Sequence, residues 1–315
     1  MKTLSCADAG GKYCPCHLAY SKDCILCNML NKNETCDCMW QGVCIYNEVA
    51  HNKNAPVLQR QEYLCDIEEI NPIEECTYLI KIKIPKVLSK DLCSPGAYIL
   101  IKSKDKDSEM FNTPISVMDV DVDNNTVEVV VKTIGIKTKD LIKSNQVYIK
   151  APYFNGIFGL KEIKSTSKSN SLVILNGLSQ VNSINVIRRL IVNNNKVDVF
   201  INHNGVILEN VIQKISNLGA NIYHIDIDDD KAYIKDYIKT NNIRLVYSGG
   251  SNHFNKDIMN IVNSIDENIR FAISNNNLIC CGEGICGACS INLNGLKVKT
   301  CKTQVSSKEY LDSIY

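Results

Sequence analysis

From about Gln61 to Asn155 the pattern of apolar and polar residues is mostly that of strands. In Cys76–Pro85, Tyr78, Ile80, Ile82 and Ile84 share one face, while Lys81 and Lys83 take the other. Pro95-Gly96 predicts a turn into a strand over Ala97–Lys102, and Val127, Val129 and Val131 stand in phase across Thr126–Thr133. Period-two alternation bounded by Gly, Pro and Asn predicts half-buried strands, and several at this spacing predict a small antiparallel barrel or sandwich.

The rhythm changes from about Asn170 to Ser274. Short apolar runs predict strands over Ser171–Leu175, Lys196–Ile201, Asn221–Ile227, Ile243–Tyr247 and Asn268–Ile273. Helical spacing between them predicts helices over Val181–Ile191, Val206–Leu218, Lys231–Lys239 and Lys256–Ile265. Such alternation implies βαβ units around a parallel sheet, which binds ligands beyond the carboxyl ends of its strands.

The chain therefore reads as multidomain α+β and α/β, with no internal repeat. Residues 1–50 form a cysteine-rich head and His51–Pro56 a polar linker. Residues 61–155 form the barrel, 168–274 the parallel α/β domain, and 275–315 a short hairpin-like tail. With 45% hydrophobic and 22% charged residues among 315, the composition is that of a globular protein. A net charge of +1 excludes polyanion binding driven by bulk charge, so no nucleic-acid partner is expected. No apolar stretch reaches the roughly 18 residues of a membrane span. The start, Met1-Lys2-Thr3-Leu4-Ser5-Cys6, shows no signal peptide, so a cytoplasmic location without membrane attachment is expected.

Cysteine changes this ordinary picture. Of 16 cysteines, all but Cys65, Cys76 and Cys93 cluster near the two ends. In a reducing compartment such clusters point to metal or redox chemistry before disulfides. The tail carries Cys281, Cys286 and Cys289, followed by Cys301, which is the C-x4-C-x2-C…C spacing of a plant-type [2Fe-2S] centre. Gly282, Gly284 and Gly287 supply the unusual backbone angles of a tight loop. Asn294-Gly295 between Ser290–Leu293 and Leu296–Lys299 predicts a hairpin that sets Thr300 opposite Cys289 and returns Cys301 to the loop. A four-cysteine zinc site is the alternative, but it prefers paired C-x2-C knuckles and only one such pair is present. Cys280 falls out of phase and reads as a packed thiol beside the ligands.

The head holds Cys6, Cys14, Cys16, Cys24, Cys27, Cys36, Cys38 and Cys44. So small a segment buries little apolar area and needs cross-links or metal. Eight thiolates suit two four-cysteine sites holding zinc, mononuclear iron or iron–sulfur clusters. The spacing does not divide the ligands between the two. His17 reads as a surface residue, and Trp40 as part of the small core.

The tail motif resembles the cluster domain of the dihydroorotate dehydrogenase electron-transfer subunit family. It is more closely similar to the sulfide/dihydroorotate dehydrogenase-like FAD/NAD-binding proteins, over roughly residues 61–315 and, in the closer relatives, the head. The resemblance implies a ferredoxin-reductase-like order: FAD-binding barrel, NAD-binding α/β domain, then [2Fe-2S] domain. Thr113-Pro114-Ile115-Ser116 resembles the family's Arg-Pro-x-Ser flavin motif with Thr113 in place of Arg. A hydroxyl does not replace bidentate contacts to pyrophosphate, a loss of about 1.5–3 kcal/mol. Gly135-Ile136-Lys137-Thr138 resembles the second flavin element, with Lys137 as a substitute charge, and Ala151–Gly156 resembles the segment leaving the barrel. Gly177 and Gln180 survive from the family's Gly-Ile-Gly-Gln-Ala-Pro turn, but Ser179 stands where the second Gly is expected. Gly249 and Gly250 match the later nicotinamide loop, while Asn202, His203 and Asn204 do not decide NADH against NADPH. The resemblance implies an NAD(P)H-dependent FAD/[2Fe-2S] oxidoreductase subunit passing electrons to a protein redox partner, with no general acid–base pair. The alternative is a non-catalytic electron-transfer or metal-binding subunit whose flavin and nicotinamide sites have degenerated.

Overall fold

The computed structural model describes residues 4–33, 35–52, 59–106 and 112–315. The head carries a short strand β1 (Ser5–Cys6) and helices α1 (His17–Tyr20) and α2 (Ile45–His51). Its small core gathers Ala19, Cys24, Cys27, Leu30, Ile45 and Val49, with Trp40 packed against them. His51 closes α2 instead of opening the expected linker, and residues 53–56 of that linker lie outside the described residues.

The barrel follows as β2 (Glu62–Glu74), β3 (Thr77–Lys83), helix α3 (Lys86–Leu92), β4 (Tyr98–Ser103), β5 (Thr113–Asp121), β6 (Thr126–Lys132), helix α4 (Ile136–Leu141) and β7 (Gln146–Tyr153). The strands close in the order β2-β3-β6-β5-β4-β7, with every pair antiparallel. The alternation read from sequence is the barrel's inside and outside: Ile80, Ile82, Val127, Val129 and Val131 are buried together. Strand β2 gave no such signal because most of its side chains are exposed or half-buried on both faces.

A short strand β8 (Ile157–Phe158) and helix α5 (Leu160–Ser165) lead into the α/β domain. It runs β9 (Asn170–Leu175), α6 (Gln180–Val192), β10 (Lys196–Asn202), α7 (Glu209–Asn217), β11 (Asn221–Ile225), α8 (Lys231–Thr240), β12 (Ile243–Gly249), α9 (Asn252–Asn263) and β13 (Arg270–Ser274). The sheet order is β11-β10-β9-β12-β13-β8, parallel except for β8. The order reverses between β9 and β12, so a crevice for a ligand is expected beyond Leu175 and Gly249.

Two helix starts differ from the expectation. Helix α7 begins at Glu209 and not Val206, because the Val206 carbonyl accepts from Gln180 Nε2 at 2.6 Å and the Leu208 amide donates to Gln180 Oε1. Helix α9 begins at Asn252, where Ser251 Oγ caps it by accepting from the Phe254 amide. The tail adds β14 (Ser290–Leu293), β15 (Leu296–Lys299), β16 (Thr303–Gln304) and helix α10 (Ser307–Ile314). It is more than a hairpin: Tyr310 and Leu311 of α10 enter the α/β core, and Tyr310 meets Phe158 at 4.8 Å. Among the described residues, no helix is long and apolar enough to cross a membrane.

Candidate iron–sulfur centre

The hairpin β14–β15 turns at Asn294 and Gly295, both with positive φ, and pairs Ser290 with Lys299. Continuing that ladder, the Thr300 amide and Oγ1 both donate to the Cys289 carbonyl, at 3.1 and 3.0 Å. Cys301 is thereby set beside the loop, its sulfur 3.2 Å from that of Cys289. The side chain of Cys281 is hydrogen-bonded to those of Cys301 and Cys286, so the four sulfurs are linked pair by pair. The amides of Glu283 and Cys286 also donate to Cys281 Sγ, at 3.4 and 3.5 Å. Backbone N–H groups aimed at sulfur stabilise negative charge there.

The electrostatics follow from this contact. Sulfur–sulfur hydrogen bonding with Cys301 draws Cys281 down to about 4 and Cys289 down to about 6. Cys301 itself is pushed up, first by those two bonds and then by burial. Among the described residues, no three or more Cys, His, Asp or Glu side chains are already gathered as a metal-ion site. The tail sulfurs instead touch in pairs across the mouth of the loop. Cys280 lies against Cys286, and burial, then that neighbour, raises its thiol.

The loop's shape depends on glycine. Gly282 has φ +67°, and a Cβ there would stand 2.5 Å from the ring of Tyr153. Tyr153 stacks on Tyr98 at 5.1 Å, and these two rings, with Leu100 and Ile279, wall in Cys289 and Cys301. The barrel strands β4 and β7 therefore form one side of the centre.

A buried charge cluster forms another side. Arg60 pairs with Asp8 at 2.6 Å and with Glu283 at 3.3 Å. Lys302 pairs with Glu283 at 3.1 Å and also with Asp8. Tyr153 donates its hydroxyl to Glu283 at 3.2 Å. Burial alone would raise both carboxyls, but the charges of Lys302 and Arg60 outweigh it and hold Asp8 and Glu283 below their ordinary range. Sequence reasoning missed these residues. The one available signal was Lys302, which follows the fourth cysteine directly.

The flavin-motif residues Thr113, Pro114, Ile115 and Ser116 lie half-buried on β5, paired to β4 from Ile101 to Tyr98. Gly135 caps α4, with the Thr138 hydroxyl accepting from the Gly135 amide, and the charge of Lys137 reaches Cys280 beside the cluster loop. Gly177 (φ +59°) opens the turn after β9, and a Cβ there would meet open space. Gly249 ends β12 opposite Leu175. Ser179 Oγ donates to the Gly249 carbonyl and leans over that glycine. Gln180 is buried, its amide group bonded to Gly177, Val206 and Leu208, so its side chain shapes the turn. The Gly250 carbonyl accepts from Asn276 Nδ2 at 2.7 Å.

Comparison with known proteins bears on these sites. Residues 228–313 match the model of the 2Fe-2S iron-sulfur cluster binding domain family. The chain carries a C-terminal 2Fe-2S domain. A curated relative, the electron transfer subunit of dihydroorotate dehydrogenase B (NAD(+)) from Fusobacterium nucleatum, is 27% identical over 116 residues, or 36% of this chain. The match spans 42% of that relative's length. A chain of an NADH-dependent reduced ferredoxin-NADP oxidoreductase superposes with a TM-score of 0.61 at 16% identity, covering 78% of this chain and 89% of its own. The ferredoxin NADP+ reductase of Neisseria gonorrhoeae, with bound FAD and NADP, superposes at 0.51 and 10% identity, covering 69% and 99%. The ferredoxin reductase of a carbazole 1,9a-dioxygenase gives 0.52 at 10% identity, covering 71% of each chain. The fold is ferredoxin-reductase-like, as the order of barrel, α/β domain and cluster tail implied.

The head docks on the 2Fe-2S domain. Strand β1 pairs antiparallel with β16, setting Cys6 against Thr303, and the Ala7 amide donates to the Lys302 carbonyl at 2.9 Å. Leu18 of α1 lies over Gly284 of the cluster loop, 3.0 Å from where a Cβ would stand.

Proposed function

We propose that the chain is an NAD(P)H-dependent electron-transfer oxidoreductase subunit that binds FAD and a [2Fe-2S] cluster and serves a protein redox partner. The observation that carries this reading is the convergence of Cys281, Cys286, Cys289 and Cys301 beside Tyr98 and Tyr153 of the barrel. The donor set fits the cluster: four sulfurs, two of them drawn toward thiolate, with backbone amides aimed at Cys281. When bound, FAD supplies the exchange between two-electron nicotinamide chemistry and one-electron cluster chemistry.

The residues have separate tasks. Cys281, Cys286, Cys289 and Cys301 hold the cluster. Tyr98, Tyr153, Leu100 and Ile279 exclude water from its buried side. Pro114, Ile115 and Ser116 line the flavin, with Gly135 and Thr138 shaping its second contact. Gly177, Gly249 and Gly250 frame the nicotinamide crevice at the point where the strand order reverses.

One observation favours the second reading, an electron-transfer subunit that has lost nicotinamide use: Ser179 leans over Gly249, where backbone should approach pyrophosphate. An absorption spectrum of the anaerobically purified protein separates the two. A flavin band that bleaches on adding NADH or NADPH supports the proposal, and cluster absorption without flavin or response overturns it. In Cys286→Ser, whose position is exposed, the paramagnetic signal of the reduced [2Fe-2S] cluster should disappear. A signal that persists unchanged removes Cys286 from the ligands.

A further inference from the structure

We infer that the head holds two iron–sulfur centres, one on Cys6, Cys14, Cys16 and Cys24 and the other on Cys27, Cys36, Cys38 and Cys44. Each set lines its own cavity. The first four face a small enclosed space between β1 and α1, together with Tyr13 and Leu18. The last four face a separate cavity of about 330 Å³ beside Trp40 and α2. No head cysteine lines both. The division therefore runs through the C-x2-C pair, with Cys24 facing one cavity and Cys27 the other.

The backbone around these sulfurs is arranged as it is at Cys281. The Cys27 amide donates to Cys24 Sγ at 3.4 Å. The Leu30 amide closes the next turn on the Cys27 carbonyl at 3.0 Å. Neutral thiols are weak acceptors and gain little from such donors, whereas cluster-bound thiolates are stabilised by them.

Iron–sulfur chemistry is favoured over zinc by volume at the second site and by position at the first. A cavity of about 330 Å³ exceeds what a single tetrahedral ion requires. The first set also adjoins the tail centre. Cys6 pairs with Thr303, which places their Cα atoms about 5 Å apart. Cys301 is two residues from Thr303, so the Cα atoms of Cys6 and Cys301 lie within about 13 Å. The order tail centre, first head site, second head site is a continuous line of cysteine-bound positions. This choice of iron over zinc rests on the electron-transfer reading above, whereas the division of ligands does not.

Metal and acid-labile sulfide are measured on the anaerobically purified full chain. Iron well above the roughly two atoms that the tail cluster accounts for, with matching sulfide, is the expected result. Iron near two with about two zinc per chain overturns the iron assignment. The same sample reports flavin separately, so a chain with head iron but no flavin defeats the proposed function and leaves this inference standing. The division is tested by paramagnetic resonance of single variants. Cys36→Ser and Cys44→Ser, at exposed positions, should both remove one head signal, while Cys14→Ser and Cys16→Ser remove the other. If a serine variant loses the protease resistance of the head, Cys36→Asp, which keeps an anionic ligand, takes its place. Loss of the same signal from both sets, or no loss from either, overturns the division.

Discussion

Arg60 and Asp8 form a 2.6 Å ion pair with both side chains almost wholly buried. Asp8 belongs to the head, and Arg60 lies just before the barrel. Glu283 of the cluster loop and Lys302 of the tail complete the group, so two cations face two carboxylates. The Arg60 guanidinium also lies between the rings of Tyr13 and Tyr153, at 4.2 and 4.5 Å. Head, barrel and 2Fe-2S domain thus meet at one neutral, buried cluster of charge.

Removing one member leaves the others buried and unbalanced. Arg60→Ala should destabilise the protein by about 3–5 kcal/mol. Arg60→Lys should recover only part of this, because it keeps the charge but loses the planar fork. Denaturant unfolding of the two variants beside the parent measures both. Equal stability for Arg60→Ala would mean that the pair contributes nothing net.

The same cluster sets an acid limit. Asp8 and Glu283 are held below their ordinary 3.8 and 4.5. A carboxyl depressed in the folded state binds its proton more readily when unfolded, so its stabilisation is complete above the unfolded value and drains away as pH falls through the folded one. Melting temperature should therefore hold down to about pH 4–5 and fall steeply below. Asp8→Asn should flatten that fall, and an equally steep fall in the variant would assign it to other carboxyls.

Gly282 and Gly295 both have positive φ but differ in their surroundings. A Cβ on Gly282 meets Tyr153, while one on Gly295 meets nothing within 4 Å. Gly295→Ala should cost only backbone strain, about 1–3 kcal/mol. Gly282→Ala should cost more and lower the cluster content of the purified protein. Iron content and thermal unfolding, measured side by side, test the contrast.

Ser179 offers a test of the crevice. Ser179→Gly clears the ground over Gly249 and should tighten NADH binding by roughly tenfold, a change of about 1.4 kcal/mol. Calorimetric titration of parent and variant reads this directly. Unchanged affinity would show that the hydroxyl is no obstacle.

What could be read in the sequence was local. The valines at 127, 129 and 131 marked a barrel strand because alternation is a property of a few neighbouring residues. Asn294-Gly295 foretold the register that brings Cys301 to Cys289, because a two-residue turn with positive φ settles the pairing of the strands beside it. Strand β2 and helix α10 escaped notice, the first for want of a buried face and the second because its core partners, Phe158 and Phe254, lie far off in the chain. Only the folded chain brought Lys302 to Asp8, which is 294 positions away. Only the folded chain assigned the eight head cysteines to two cavities, since C-x2-C spacing alone says that its two sulfurs are near, not that they face opposite ways. Spacing governs what one turn or one strand does, whereas the closure of a site depends on the path of all the backbone between its parts.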